Sequence, residues 1–159
     1  MKRVGITLRS YREDDLDAMY ALDVVCFEKP FRFTHGSMRR FAEARKARVV
    51  IAEENDARVG FVILHVERAE EGRVGYIITL DVAPEHRRQG LAGELMREAE
   101  RLASRDGCVA VLLHVFAGNE PAIRFYESHG FVRSHREPDF YGRAIDAWVF
   151  EKLLRSTCE

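Results

Sequence analysis

The sequence has little cysteine, no excess of either charge and no long apolar run. Its three cysteines, Cys26, Cys108 and Cys158, are an odd number with no CxxC spacing. That excludes a disulfide-built frame and points to free thiols in a reducing compartment, so the expected location is cytoplasmic. Lys and Arg number 25 against 26 Asp and Glu, a net charge of −1 spread along the chain. Such a balance gives no general affinity for nucleic acid or for an anionic membrane. No segment is apolar over the roughly 20 residues that a membrane helix needs. The opening M-K-R-V-G-I-T-L-R-S lacks the apolar stretch of a signal peptide. The histidines at 35, 65, 86, 114, 129 and 135 show no HExxH or paired-ligand spacing, so no metal is expected. There is no repeat, low-complexity stretch or linker. A chain of 159 residues then reads as one domain, 1–159, large enough for a proper core.

What is present is clear hydrophobic patterning. Val4 to Arg9 alternates like a strand. Ser10 to Asp15 reads as a helix start, followed by helical spacing at Leu16, Met19, Tyr20 and Val24. Phe27 to Phe33 is an aromatic loop, and Ser37 to Ala47 a short second helix. Arg48–Glu53 and Arg58–Glu67 read as strands joined by an Asn55-Asp56 turn. Arg73–Val82 is the next strand, and Leu91–Arg105 an amphipathic helix stopped at Gly107. Val109–Val115 suits a buried strand, and Asn119–His129 a helix closed by Gly130. Two strands around a turn near Gly142 complete the chain. The order β-α-α-β-β-β-α-β-α-β-β places one right-handed parallel crossover among antiparallel hairpins. The predicted architecture is α/β (α+β): a mixed, mostly antiparallel sheet of six to seven strands with helices on both faces.

The segment V-A-P-E-H-R-R-Q-G-L-A, Val82 to Ala92, joins a strand to a helix. A loop of this kind can aim several backbone N–H groups at one anion, and the helix N-terminus adds partial positive charge. Arg87 and Arg88 add two full charges, and Gly90 permits close backbone approach. The natural guest is a phosphate or pyrophosphate. Taken alone, the loop reads equally well as a plain turn with solvated arginines.

A second signature removes that ambiguity. N-E-P-A-I-R-F-Y-E-S-H-G-F runs from Asn119 through Tyr126 to Phe131. Together with Arg87-Arg88-Gln89-Gly90-Leu91-Ala92, a full match to [Q/R]-x-x-G-x-[G/A], it resembles the GNAT superfamily of acyl-CoA-dependent N-acetyltransferases. The strand Y-I-I-T-L, the L-H-V ahead of Asn119 and the late Phe140-Tyr141 pair are similar to protein N-terminal acetyltransferases. Bacterial RimI-type enzymes share this frame, but commonly carry Glu where this chain has His114. The Tyr76 and His114 pair is closer to the eukaryotic catalytic subunits that act on Met-starting N-termini, and it favours a histidine-based mechanism.

The resemblance implies acetyl-CoA as cosubstrate. The N–H groups of Arg87, Arg88, Gln89, Gly90, Leu91 and Ala92 would hold its pyrophosphate. The Val82 N–H, freed from the ladder by a bulge at that point, would meet the pantetheine arm or the thioester carbonyl. Asn119 would bond the same arm, and Tyr126, seven residues on, would protonate the departing thiolate. From spacing alone, Tyr126 is better read as a core aromatic on an amphipathic helix, and His114 as a satisfied core histidine. The resemblance instead has Tyr76 and His114 facing one cleft with a water held between them to take the amine proton. Phe27, Glu28, Lys29, Pro30 and Phe31, with Phe140 and Tyr141, would line the acceptor groove. Each of these reads otherwise as a loop aromatic or solvated charge. Cys26 and Cys108 have no base paired with them in sequence and read as structural thiols.

The acceptor class follows from a magnitude. An α-amine titrates at about 7.7–8.0 and is roughly a tenth neutral at pH 7, whereas a lysine at about 10.4 is neutral only a few times in ten thousand. A histidine relay suits the first better, which favours a peptide or protein N-terminus. A lysine, a small amine (amino acid, polyamine or antibiotic) and a non-catalytic acyl-CoA sensor stay as alternatives. The chain is expected to work as a monomer or homodimer, without nucleic acid or membrane partners.

Overall fold

The computed structural model describes residues 5–155. In chain order the elements are β1 Ile6–Ser10, α1 Leu16–Cys26, α2 His35–Glu43, β2 Ala47–Glu54, β3 Ala57–Ala69, β4 Gly72–Val82, α3 Leu91–Arg105, β5 Cys108–Phe116, α4 Glu120–Ser128, β6 Val132–Gly142 and β7 Ile145–Leu153. Seven strands form one sheet in the order β1-β2-β3-β4-β5-β7-β6. The β4–β5 pair is parallel. The other pairs are antiparallel. This is the predicted mixed sheet, at the upper strand count.

Each face of the sheet carries its own core. Leu91, Leu95, Met96, Ala99 and Ala103 of α3, with Ile123 of α4, pack on Val62, Leu64, Ile77, Val111 and Leu113. On the other face Leu16, Met19, Leu22, Met38 and Ala42 of α1 and α2 cover Val49, Ile51, Phe61 and Ile63. The alternation of Phe61 and Ile63 with Val62 and Leu64 is the strand period sorting side chains between two helical layers. The Asn55-Asp56 turn has both residues at positive φ, 49° and 66°, as a two-residue hairpin with the twist of its strands requires.

Element ends depart from the sequence expectation for local reasons. Ser10 closes β1 rather than opening a helix, because it pairs with Val50 in β2. The expected strand residue Val4 lies outside the described residues, as does Cys158. The second helix begins at His35, not Ser37, because the Thr34 side chain caps it by accepting from the Ser37 N–H at 3.0 Å. Its expected end, Ala47, instead pairs with His65 in the sheet. Asn119 lies just outside α4, where its side chain caps the helix by accepting from the Ala122 N–H at 3.2 Å.

One irregularity shapes the centre of the sheet. Ile63 pairs with Thr79 and Leu64 with Ile77, so Ile78 is an extra residue in β4. Pairing of β4 with β5 ends at the same level, at Ile77 and Leu113. Beyond it the two parallel strands diverge. The bulge therefore lies at Ile78 and not, as the sequence suggested, at Val82.

Three buried carboxyl groups, Asp15 and the Asp23–Asp81 pair, anchor the first helix at two points. Asp15 is fully buried and receives Arg9 Nη2 at 2.8 Å, Arg58 Nε at 2.9 Å and the Arg12 N–H at 2.7 Å. Burial alone would raise this carboxyl, but bonds from Arg9, Arg12 and Arg58 hold it well below the usual range. Asp23 on α1 meets Asp81 on β4, both buried. Burial and the adjacent Asp23 push Asp81 well above the ordinary carboxylate range, while Thr79 Oγ1 donates to its Oδ1 at 2.5 Å. Asp23 Oδ2 accepts the Phe33 N–H at 2.9 Å, which ties the aromatic loop to β4.

Each anchor yields a prediction. Asp15 is depressed on folding, so its stabilisation is complete above about pH 4 and fades as pH falls below that. Asp15→Asn leaves Arg9 and Arg58 without a counter-charge and costs about 3 kcal/mol at pH 7. It also removes that acid-side loss. An unchanged urea midpoint at pH 7 would contradict this. Asp81 has the opposite sign: the folded chain holds a proton the unfolded chain releases, so stability falls as pH rises above about 4. Asp81→Asn keeps a donor toward Asp23 and flattens that decline, seen as a urea midpoint no lower than wild type at pH 8.

Candidate functional site

The divergence of β4 from β5 opens a cleft whose apex is the last paired level. The Ala83 N–H donates to the Val59 carbonyl at 2.9 Å. Because N–H groups alternate along a strand, the Val82 N–H and C=O point away from β3, into the cleft. The Val82 carbonyl already accepts the Cys26 thiol at 3.3 Å and Arg87 Nε at 3.2 Å.

Past Val82 the chain makes a short 3-10 turn, Pro84–His86, and enters α3. Arg88 stands at φ 62° and Gly90, the residue before the helix, at φ 85°. These left-handed positions turn the chain sharply enough for successive N–H groups to face one side. The N–H groups of Gly90, Leu91, Ala92 and Gly93 meet no acceptor among the described residues. They are the orphan donors of a 15-residue helix whose dipole adds to them.

One member of the predicted loop behaves differently from expectation. The Arg87 N–H is not available to a guest, since it donates to the Pro84 carbonyl at 3.2 Å, and its guanidinium clamps Val82. Leu91 offers only its backbone, because its side chain is in the core. Arg88 is exposed, and Gln89 Nε2 bonds the Glu85 carbonyl at 3.2 Å. Gly93 belongs with the free donors although the motif stops at Ala92.

At the apex, Tyr76 and His114 come together. Tyr76 Oη and His114 Nδ1 are 2.6 Å apart, a direct hydrogen bond. The expected water between them therefore has no place on that line. His114 is the first β5 residue beyond the last β4–β5 pair, and Tyr76 lies one residue below it. Burial raises Tyr76 well above the ordinary tyrosine value, so it holds its proton at neutral pH. Tyr126, on α4, packs against Phe131 and Phe150. Burial likewise raises it, with smaller contributions from Tyr141 and Asp81. Its hydroxyl has no hydrogen-bond partner among the described residues. The Asn119 amide oxygen is committed to its cap, leaving the NH2 of that amide for other partners.

The acceptor-side residues separate into a wall and a rim. Phe31 contacts Phe116 and Tyr141, each at 5.0 Å between ring centres. Tyr141 meets Phe140 edge-on at 4.9 Å, and Phe140 stacks on the His114 ring at 3.8 Å. The wall is thus continuous from the first loop to the Tyr76–His114 pair. Burial pushes Tyr141 up to about 12. Phe27 is half-buried at the start of the same loop, while Glu28, Lys29 and Pro30 are exposed on its rim and make no ring contact with the wall.

Phe116, Glu137 and the Asp23–Asp81 pair escape the sequence reading. Phe116 follows His114 by two residues, so strand period alone places it on the same face. Glu137 lies on β6, separated from β5 by β7, and no local pattern reveals that neighbourhood. Among the described residues no group of three or more His, Cys, Asp or Glu is placed to hold a metal.

Comparison with known proteins agrees with this layout. The family model for the acetyltransferase (GNAT) family matches residues 16–131. The Danio rerio protein N-alpha-acetyltransferase 50 is 33% identical over 111 residues, 68% of this chain and 66% of that protein. The chain spans about two thirds of the length of the curated relatives it matches, from 60% to 69%. Arabidopsis thaliana NAA60, solved with a bisubstrate analogue, superposes with a TM-score of 0.83 at 26% identity, covering 94% of this chain and 99% of that one. Arabidopsis thaliana Naa50, solved with the bisubstrate analogue CoA-Ac-MVNAL, gives 0.80 at 27% identity, covering 94% and 99%. The cleft, the donor row at the head of α3 and the match across most of the chain lead to one conclusion: this chain belongs to the GNAT acetyltransferase family.

Proposed function

We propose that the chain is an acetyl-CoA-dependent N-acetyltransferase whose acceptor is the α-amine of a peptide or protein N-terminus. The observation that carries this is the cleft apex, where the Tyr76–His114 pair meets both the aromatic wall and the diverging end of β4. The related Naa50 bound to a peptide-linked CoA analogue supports a peptide acceptor.

Acetyl-CoA supplies an acetyl group already activated as a thioester. The free N–H groups of Gly90 to Gly93, with the Arg88 side chain, fit its pyrophosphate. Four aligned donors at a helix head suit an anion and little else. The Val82 N–H, turned into the cleft, fits the pantetheine arm or the thioester carbonyl, and the Asn119 NH2 the same arm. Tyr126 keeps its proton at neutral pH. It is therefore a donor for a thiolate leaving group rather than a base. The acceptor amine sits at the Tyr76 hydroxyl, backed by His114. Phe31, Phe140 and Tyr141 hold the first side chain of the peptide, and Phe27, Glu28 and Pro30 border the entry. The apolar wall keeps water from the amine and thioester alike. An α-amine is the better guest here because a tenth or so is already neutral at pH 7.

Thiol release from acetyl-CoA, followed with peptides that differ in their first two residues, tests the assignment. Tyr126→Phe and His114→Ala each lower kcat by about 100-fold on the best peptide. Full activity in both variants would contradict it, and turnover of small amines alone would move the acceptor to the alternative class.

A further inference from the structure

His114 touches more than the cleft. Its Nδ1 faces Tyr76, but its Nε2 lies 3.2 Å from Glu137 Oε2 on β6. Nε2 is buried, and among the described residues no hydrogen bond is aligned with it. Among the described residues Glu137 is the one carboxylate within ion-pair distance of it. Looser angles of this kind are common before substrate tightens a site. The carboxylate reaches His114 across Ala147, the buried β7 residue paired with both Glu137 and Phe116. Glu137 Oε1 lies 3.5 Å from His135 Nε2, and both side chains are open to solvent. Phe140, stacked within 5° of parallel, fixes the plane of the His114 ring.

Donor and acceptor rules then set the direction of the whole chain of contacts. An ionised carboxylate only accepts, so a Glu137 oxygen 3.2 Å away favours the imidazole proton on Nε2. Nδ1 is then the acceptor, and Tyr76 must donate to it. That leaves the Tyr76 oxygen lone pairs facing the cleft, free to receive an N–H from the amine. Without Glu137 the opposite tautomer is equally available. Nδ1–H would then point at Tyr76, and the tyrosine proton would compete with the amine for the same space.

We infer that Glu137 is a positioning residue that holds His114 in its Nε2–H tautomer and receives the acceptor's proton outward through Tyr76 and His114. The inference rests on the acetyltransferase reading above. As the amine lone pair forms the new N–C bond, the thioester C–S bond breaks, the CoA thiolate takes its proton from Tyr126, and the amine proton passes to the Tyr76 oxygen. The Tyr76 proton passes to His114 Nδ1, and the Nε2 proton to Glu137. One proton enters and one leaves, so Tyr76 and His114 end neutral with the ring proton on Nδ1; the exposed Glu137 releases its proton to solvent, and proton exchange with solvent restores Tyr126 and the Nε2–H ring before the next turnover.

Imidazole 15N spectra of the whole 159-residue chain, recorded without substrate, read the tautomer directly. The expected result is an Nε2–H ring for His114 in wild type and a mixture in Glu137→Ala. In thiol-release kinetics Glu137→Ala and Glu137→Gln lower kcat about 10- to 100-fold with KM for both substrates within about twofold, and Glu137→Asp recovers part of the loss. An Nδ1–H ring in wild type overturns the inference. So does a Glu137→Ala chain with unchanged kcat, or one whose loss appears only in KM or in folding stability. Because the spectra need no turnover, failure of the two readings is distinguishable. Absence of transfer to any amine overturns the acetyltransferase reading and the proton path, whatever the tautomer.

Discussion

The extra residue at Ile78 is the constraint on which the rest of the structure depends. In a regular parallel pair, β4 and β5 would stay bonded to their ends, and every backbone donor there would be consumed by the ladder. The bulge increases local twist and ends that pairing at Ile77 and Leu113. Three consequences follow from one insertion. The Val82 backbone turns into an open cleft. The head of α3 arrives beside it with unpaired N–H groups. His114, the next residue up β5, emerges at the apex with no β4 partner while still pairing with Val149 of β7. The bulge leaves the cores intact, because α3 bridges β3, β4 and β5 beneath the cleft. Gly75 permits that close bridge, since a Cβ there would stand 2.8 Å from Leu64 Cδ1 and 3.4 Å from Ala103 Cβ.

The second organising theme is neutrality. Burial keeps Tyr76, Tyr126 and Tyr141 protonated, and Asp81 is pushed the same way. The cleft therefore holds proton donors, a neutral aromatic wall and the partial charges of a helix head. Apart from the Arg87 guanidinium, which sits on the Val82 carbonyl, full charges stand at its edges: Arg88 on one side, Glu28 and Glu137 on the other. A low-dielectric centre with oriented dipoles is suited to stabilising charge that appears only during reaction. The strong ion pairs, around Asp15, are spent on anchoring α1 rather than on the site.

Much of this was legible in the sequence, and the limits are physical. Period-2 and period-3.6 patterning located all seven strands and four helices, since each buries one face. The donor loop was legible because Gly90 and the small residues after it are needed for the left-handed turn and the close approach. Tyr126 and His114 came from the family signature, because as isolated residues each has an ordinary structural reading. What escaped was cross-strand geometry. The bulge shifts to Ile78 because register depends on two strands at once. The direct Tyr76–His114 bond depends on the level at which β4 and β5 part. Glu137 needed the knowledge that β7 inserts between β5 and β6 and is small at Ala147. The Arg87 N–H was lost to a local turn that the motif does not encode.

The claim that the cleft directs an α-amine to an acetyl thioester is tested most directly by one peptide carrying both a free N-terminus and an internal lysine. The peptide is incubated with the chain and acetyl-CoA, and fragment mass spectrometry identifies the modified nitrogen. The account predicts acetyl on the α-nitrogen, with the lysine untouched. Acetyl on the lysine alone, or on neither nitrogen while CoA thiol is released, would contradict it.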